Sequence, residues 1–478
     1  LHSFPTRRSS DLMPGCEILQ SFDLVHWEHV TYVYETLDHT DAQQLKSGQN
    51  IYGQGMWAAS LRYHEGRFCI CFVANDTRKT YLYTSEKIDG PWKKQLIEGF
   101  YHDGSLLFDE DGRNYIVYGN DEIWITELNE DLTAPKKDGL HRLLVSDHKN
   151  PELGYEGSHI QKINGYYYIF LIHSLRDRWM RTEACFYSDS LEGEFTGGDV
   201  LCDDRGYCGQ GVAQGGIVDT PDGKWYAMLF QDSGAVGRIP ILLPVTWKDH
   251  FPFFGQNGHV PEEIEVHSTR PGYIYQPLVG SDDFCNGLLP RWQFNHDPDP
   301  RYYHLDALQG TYTITTREVC TELTQAVNTL TQRMSYPSCA AEVTVDASAL
   351  KEGDVAGLCA LQSCYAAVGI TKHHGKYEVL MLDKKEDGIL DMTEGTVVES
   401  HQMDFRLEAD FCNMKDEARC YYRVNKGDWL PIGTVHKLYF KLDHFTGCRF
   451  GLFCYAAEET GGSACFRDFK YYDVDEIS

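Results

Sequence analysis

Four hairpin-turn motifs recur in the first half of the 478-residue chain and limit what it can fold into. They are His64-Glu65-Gly66-Arg67, Asp109-Glu110-Asp111-Gly112, Ile163-Asn164-Gly165 and Pro221-Asp222-Gly223-Lys224. Each leads into an aromatic or β-branched run (Phe68–Val73, Tyr115–Tyr118, Tyr166–Leu171, Trp225–Phe230) and follows another apolar stretch, which is the pattern of a β-hairpin. The turn glycines lie 46, 53 and 58 residues apart, in the range of about 40–50 residues per propeller blade once loops are inserted. Ser21-Phe22-Asp23-Leu24 to Trp27 resembles the blade ends Ser85-Glu86 to Trp92 and Ser188-Asp189 to Phe195, adding a unit that has an end without its beginning. The expectation is therefore a five-bladed β-propeller with an incomplete first blade.

The blade repeat stops near Val266, and His267–Gly280, with Pro271, Gly272 and Pro277, reads as a linker. Beyond it, apolar and polar residues alternate, as in Tyr312–Thr316, Ala341–Val345 and Phe450–Tyr455, so a concanavalin-like β-sandwich is expected. No long amphipathic helix interrupts this all-β pattern. The domain reading is a propeller with its linker over residues 13–280 and a sandwich over 281–478. Residues 1–12, with Arg7, Arg8 and three serines but no apolar stretch, read as a non-native N-terminal segment and not a secretory signal.

Charge narrows the partners. With 43 Lys plus Arg against 71 Asp plus Glu, the net charge of −28 disfavours nucleic acid and anionic membranes and leaves a neutral ligand. No apolar run approaches the length of a membrane helix. The 16 cysteines form no C-x-x-C pair and no zinc-finger spacing, so they read as free thiols in a reducing compartment. A bacterial cytoplasmic location is expected, with secretion left open, and the sequence fixes no oligomeric state.

Stepping back nine positions from each turn glycine reaches Trp57, Asp103, Glu156 and Gln214. Inner strands of a propeller surround one axis, so these positions converge, and two of them are carboxylic acids. Seventeen positions further on lie Ala74, Asn120, His173 and Gln231, a candidate outer ring of hydrogen-bonding groups. Paired carboxyls facing a pocket equip a chain for glycoside hydrolysis, one protonating the leaving oxygen and another activating water. Arg238 is a candidate donor to sugar hydroxyls. Glu156-Gly157-Ser158-His159 is not expected to bind metal, because i and i+3 on a strand point to opposite faces.

Met56-Trp57-Ala58-Ala59-Ser60-Leu61-Arg62-Tyr63, His102-Asp103-Gly104-Ser105-Leu106-Leu107-Phe108, Tyr155-Glu156-Gly157-Ser158-His159, Val218-Asp219-Thr220-Pro221-Asp222-Gly223-Lys224-Trp225-Tyr226 and Gly237-Arg238-Ile239-Pro240 together resemble glycoside hydrolase family 43. The likeness runs from Met13 to the C-terminus and is to the β-xylosidase and α-L-arabinofuranosidase type. It implies an inverting exo-glycosidase acting on xylo- or arabino-oligosaccharides, with Glu156 as general acid and Asp103 as the carboxylate that sets its proton affinity. Trp57 and Arg238 would contact the sugar, alongside Asn120, His173, Gln214 and Gln231. No cofactor is implied. The resemblance implies that many members hold a central metal ion through a histidine where this chain has Gln214, so a structural Ca²⁺ is left open but not indicated. The resemblance begins only after the strand that carries the family's general-base Asp, and Asp11 has none of that context, so the chain is expected to lack its base and to be impaired. The sandwich would either scaffold the propeller or lend the loop 297–303 to the pocket rim. A non-catalytic carbohydrate-binding propeller is the alternative reading.

Overall fold

The computed structural model of the chain describes residues 11–393, 395–444 and 446–473, so all but Asp11 and Leu12 of the expected N-terminal segment 1–12 lies outside the described residues. Among the described residues every helical segment is a three-residue 3-10 turn, and no helix is long and apolar enough to cross a membrane. The rest of the regular structure is antiparallel sheet.

The four turn motifs close four hairpins, and each hairpin is the inner half of a four-stranded blade. The blades are Ser60–His64, Arg67–Ala74, Lys79–Ser85 and Lys93–Ile97; then Ser105–Phe108, Asn114–Asn120, Glu122–Leu128 and His141–Ser146; then Glu156–Ile163, Tyr166–Ser174, Arg181–Ser188 and Thr196–Leu201; and last Ala213–Asp219, Trp225–Asp232, Arg238–Lys248 and Phe251–Phe254. The turns come in two lengths. Glu65-Gly66 and Asn164-Gly165 are two-residue turns with φ of 47° and 79° and of 51° and 85°, the paired left-handed geometry that matches strand twist and favours glycine. The second and fourth blades use wider turns, closed by Asp109 N–H to Arg113 O and Thr220 N–H to Lys224 O, both at 2.9 Å. Blades pack on one another through apolar faces, such as Val117 and Ile125 against Ile160 and Ile169, all fully buried.

The blade count differs from the expected five. The described residues form four four-stranded blades, and the segment read as an incomplete first blade is a two-stranded ribbon, Gly15–Gln20 against Glu28–Tyr34. Among the described residues no third or fourth strand pairs with this ribbon, so it does not make a complete blade. Leu12–Met13 pairs instead with Gln293–Asn295 in the sandwich. The linker covers the ribbon: Phe22 N–H donates to the Tyr275 hydroxyl at 2.8 Å, Phe22 meets the Tyr273 ring edge-on at 4.6 Å, and Glu28 accepts from the Tyr273 hydroxyl and the Gln276 N–H. An open strand edge is thereby blunted.

The C-terminal part is a nine-stranded sheet facing a seven-stranded one. Alternate residues of Ser338–Asp346 (Cys339, Ala341, Val343, Val345) and of Gln402–Asp410 (Met403, Phe405, Leu407) point into the shared core, which is the period-2 pattern that the sequence showed. Two propeller residues, Ala235 and Val236, belong to this same core. Their turn is held by Cys448 N–H to Ala235 O at 2.8 Å, and Gly237 packs so tightly on Gly447 that a Cβ there would lie 2.7 Å from the Gly447 Cα. With φ of 90° as well, only glycine fits at 237. The sandwich thus fixes the turn that ends at Arg238.

Candidate active site

The site forms where the inner strands of the second, third and fourth blades begin. At each beginning the backbone takes one left-handed step, at Asp103 (φ 47°), Gly157 (66°) and Gln214 (66°). In the third and fourth blades the hairpin register also slips there, between Glu156 and His159 and between Ala213 and Gly216, so a bulge re-aims the side chains at the axis. Glu156 is one residue out of step with its expected equivalents. The two-residue turn of the third blade puts Gly157, not Glu156, in the slot held by Asp103 and Gln214, and Glu156 shares the preceding slot with His102. The consequence is a layered site. Glu156 and His102 keep side-chain exposures of 16% and 19%, whereas Asp103 lies beneath them at 1%.

His102 Nε2 stands 3.6 Å from Glu156 Oε2 and 3.8 Å from Asp103 Oδ2. The ligand-type atoms of the three residues lie within 4.8 Å of one another. Asn120 Nδ2 donates to Glu156 Oε2 at 2.9 Å, and Gln214 Nε2 reaches Asp103 Oδ2 at 3.5 Å. Ser158 Oγ, fully enclosed, lies 2.7 Å from Asp103 O and 2.9 Å from Val117 O, tying the third blade to the second at the acid. A Cβ on Gly157 would sit 2.7 Å from the Gln214 side chain, so space and backbone conformation both require glycine there. The Trp57 ring lies 5.5 Å from that of His102 and is pinned by Nε1–H to Gly53 O at 3.0 Å. Two carboxyls so close resist ionising together, the arrangement needed for one of them to keep a proton for transfer.

Trp57, Asp103, Asn120, Glu156 and Gln214 are thus brought together. Arg238 is oriented by Nε–H to Asp232 Oδ1 at 3.0 Å and lies over the Phe230 ring at 4.3 Å, while the other Asp232 oxygen meets Arg181 at 2.6 Å. Gln231 turns to a neighbouring loop, donating to Asp204 O and Gln210 O. His173 lies between Asp147 (3.3 Å) and Asp199 (2.9 Å), and not against the carboxyl pair. The loop 297–303 is anchored at Asp297 by His39 (2.7 Å) and by Asp297 N–H to Gln43 O. Burial raises the Asp297 carboxyl to about 6. His102 and Ser158 were not foreseen as site residues. His102 adjoins Asp103 in the sequence, but nothing in the residue string separates Ser158 from an ordinary turn serine. The residues around Gln214 do not fit the central metal that the family resemblance implies, since its amide nitrogen is turned to Asp103 and its stem fills the space over Gly157.

A propeller that brings two carboxyls together beside an aromatic ring, each carboxyl met by an amide side chain, has the equipment of a carbohydrate-active hydrolase. The family model for glycosyl hydrolases family 43 matches residues 5–252, and that for the beta xylosidase C-terminal concanavalin A-like domain matches 281–472. The chain belongs to glycoside hydrolase family 43. Among solved structures it is similar to a bifunctional GH43-CE protein of Bacteroides eggerthii, with TM-score 0.90 and 40% identity over 98% of this chain; the chain spans 61% of that protein's length. Among curated relatives it is 25% identical to a beta-xylosidase of Formosa agariphila, over 97% of this chain and 84% of the relative. It is 22% identical to a non-reducing end alpha-L-arabinofuranosidase of Bacteroides ovatus, over 80% and 74%.

Proposed function

We propose that the chain is an inverting exo-glycosidase that removes terminal β-D-xylosyl or α-L-arabinofuranosyl residues from hemicellulose-derived oligosaccharides. The observation that carries the reading is the layered carboxyl pair, Glu156 partly exposed and held by Asn120, Asp103 enclosed beneath it. Glu156 is the general acid, giving its proton to the departing glycosidic oxygen. Asp103 is too enclosed to meet the sugar or a water on the far side of the ring. Its charge disfavours ionisation of Glu156, and Asn120 fixes the direction in which the proton points. Trp57 walls the pocket and Arg238 meets the sugar hydroxyls.

Inverting hydrolysis also needs a carboxylate about 6.5–9.5 Å from the acid to activate water. The tight cluster of His102, Asp103 and Glu156 supplies no such group, and we propose that water activation limits turnover by this chain. External azide, an anion that attacks without deprotonation, then raises turnover of an aryl glycoside and leaves a glycosyl azide of inverted configuration. The test is hydrolysis of aryl β-D-xyloside and aryl α-L-arabinofuranoside, with and without azide, by the parent chain and Glu156→Gln. Turnover of one glycoside identifies the sugar. No turnover under either condition, with xylose or arabinose still bound in calorimetry, sinks the catalytic reading in favour of a sugar-binding propeller.

A further inference from the structure

We propose that Glu183 is a positioning residue of this site, holding Gln214 in its left-handed conformation and through it the buried acid Asp103; this deepens the function proposed above and rests on it. Glu183 lies on the third strand of the third blade, Arg181–Ser188, and is fully buried. A wholly enclosed acid away from the reacting pair needs an account. Its Oε2 accepts the backbone N–H of Gln214 at 2.7 Å, from the neighbouring blade. Its Oε1 finds no hydrogen-bond partner among the described residues. The side chain therefore makes one hydrogen bond, to Gln214.

That contact falls on an unusual residue. Gln214 has φ of 66°, a conformation that a side chain with a Cβ rarely adopts and that persists only where the surroundings impose it. The left-handed step aims the amide at Asp103 and lays the side chain across Gly157, next in sequence to Glu156. Glu183, Gln214 and Asp103 thus form a relay across three blades, ending at the carboxyl that governs the proposed acid. The same strand steadies the backbone just before Gln214: Arg181 N–H donates to Gly209 O at 3.0 Å, and Gly211 lies so close to Arg181 O that a Cβ would sit 1.8 Å from it. Burial pushes the Glu183 carboxyl well above the usual range, opposed by the Gln214 N–H and by Arg181, and so favours its neutral form. A neutral acid and an amide present the same acceptor. Glutamine should replace it and a hydrocarbon should not.

The experiment compares the parent chain with Glu183→Gln, Glu183→Leu and, should the leucine variant not fold, Glu183→Met. Crystal structures show where Gln214 sits, and kinetics compare xylobiose with 2,4-dinitrophenyl β-D-xyloside, whose leaving group needs no proton (arabinofuranosyl counterparts if that sugar is preferred). In Glu183→Gln, Gln214 stays on Asp103 and kcat for the disaccharide remains within about twofold. In the hydrocarbon variants Gln214 leaves the left-handed region, and kcat for the disaccharide falls by about 10²-fold, the usual consequence of a misplacement near 1 Å. KM and the dinitrophenyl rate change far less, a split that general destabilisation would not produce. The proposal is overturned if Gln214 keeps its conformation and its contact with Asp103 in a hydrocarbon variant, or if both substrates slow equally. A parent chain that turns over neither substrate, with or without azide, defeats the proposed function, while the position of Gln214 in the variants still decides the role of Glu183.

Discussion

The second and third blades enter the axis by the same left-handed step, yet they put different chemistry on it. In the second blade the residue at the step is Asp103 and the residue before it is His102; in the third, Gly157 takes the step and Glu156 precedes it. One blade therefore buries its acid and the other exposes it. On the function proposed above, the difference in depth lets the two carboxyls hold different roles, the enclosed one acting on its neighbour and the partly exposed one meeting substrate. A shift of one residue, set by a two-residue turn in one hairpin and a wider one in the other, separates the two roles.

The largest effect that sharpens this contrast comes from the exposed acid. Glu156→Gln should lower kcat for an unactivated disaccharide by about 10²–10⁴-fold, leaving the melting temperature near that of the parent. Asp103→Asn should act on the same proton from below. With the neighbouring carboxylate gone, the alkaline limb of the rate profile moves to lower pH. If that limb moves up or stays, Asp103 is not the modulator.

Smaller changes test the frame. Gly157→Ala imposes a left-handed alanine against the Gln214 side chain, and thermal or denaturant unfolding should register a loss of about 1–3 kcal/mol. Ser158→Ala removes the hydroxyl from between Asp103 O and Val117 O and should destabilise by about 1–2 kcal/mol. The last effect is a pH dependence at Glu183. Its carboxyl is raised in the folded chain, so the stability it contributes is full below the unfolded value of 4.5 and is lost as pH rises toward the folded one. Melting temperatures of the parent and Glu183→Gln should therefore diverge with rising pH above that point, the glutamine variant holding the advantage.

Much of this was legible in the sequence, for identifiable reasons. Turn glycines such as Gly66 and Gly165 mark hairpins because their φ excludes most other residues, and the repeat then brought Asp103 and Glu156 to one axis. The blade count was not legible, because Ser21–Trp27 carries the local pattern of a blade end while the strands around it form only a ribbon under the linker. The step between Glu156 and Gly157 was hidden as well, since counting from the turn glycine assumes turns of equal length. Glu183 reads in the string as one more charge on a strand. Its burial depends on how the fourth blade leans against the third, which no local pattern encodes.

The most direct test of the account is the rate ratio between xylobiose, or the corresponding arabinofuranosyl disaccharide, and its 2,4-dinitrophenyl glycoside, measured for the parent chain and Glu156→Gln under the same conditions. The account predicts that the variant loses about 10²-fold or more on the disaccharide while retaining most of its rate on the dinitrophenyl substrate, because only the former needs a proton from Glu156. Equal losses on both substrates, or none on either, would contradict the assignment of Glu156 as the acid.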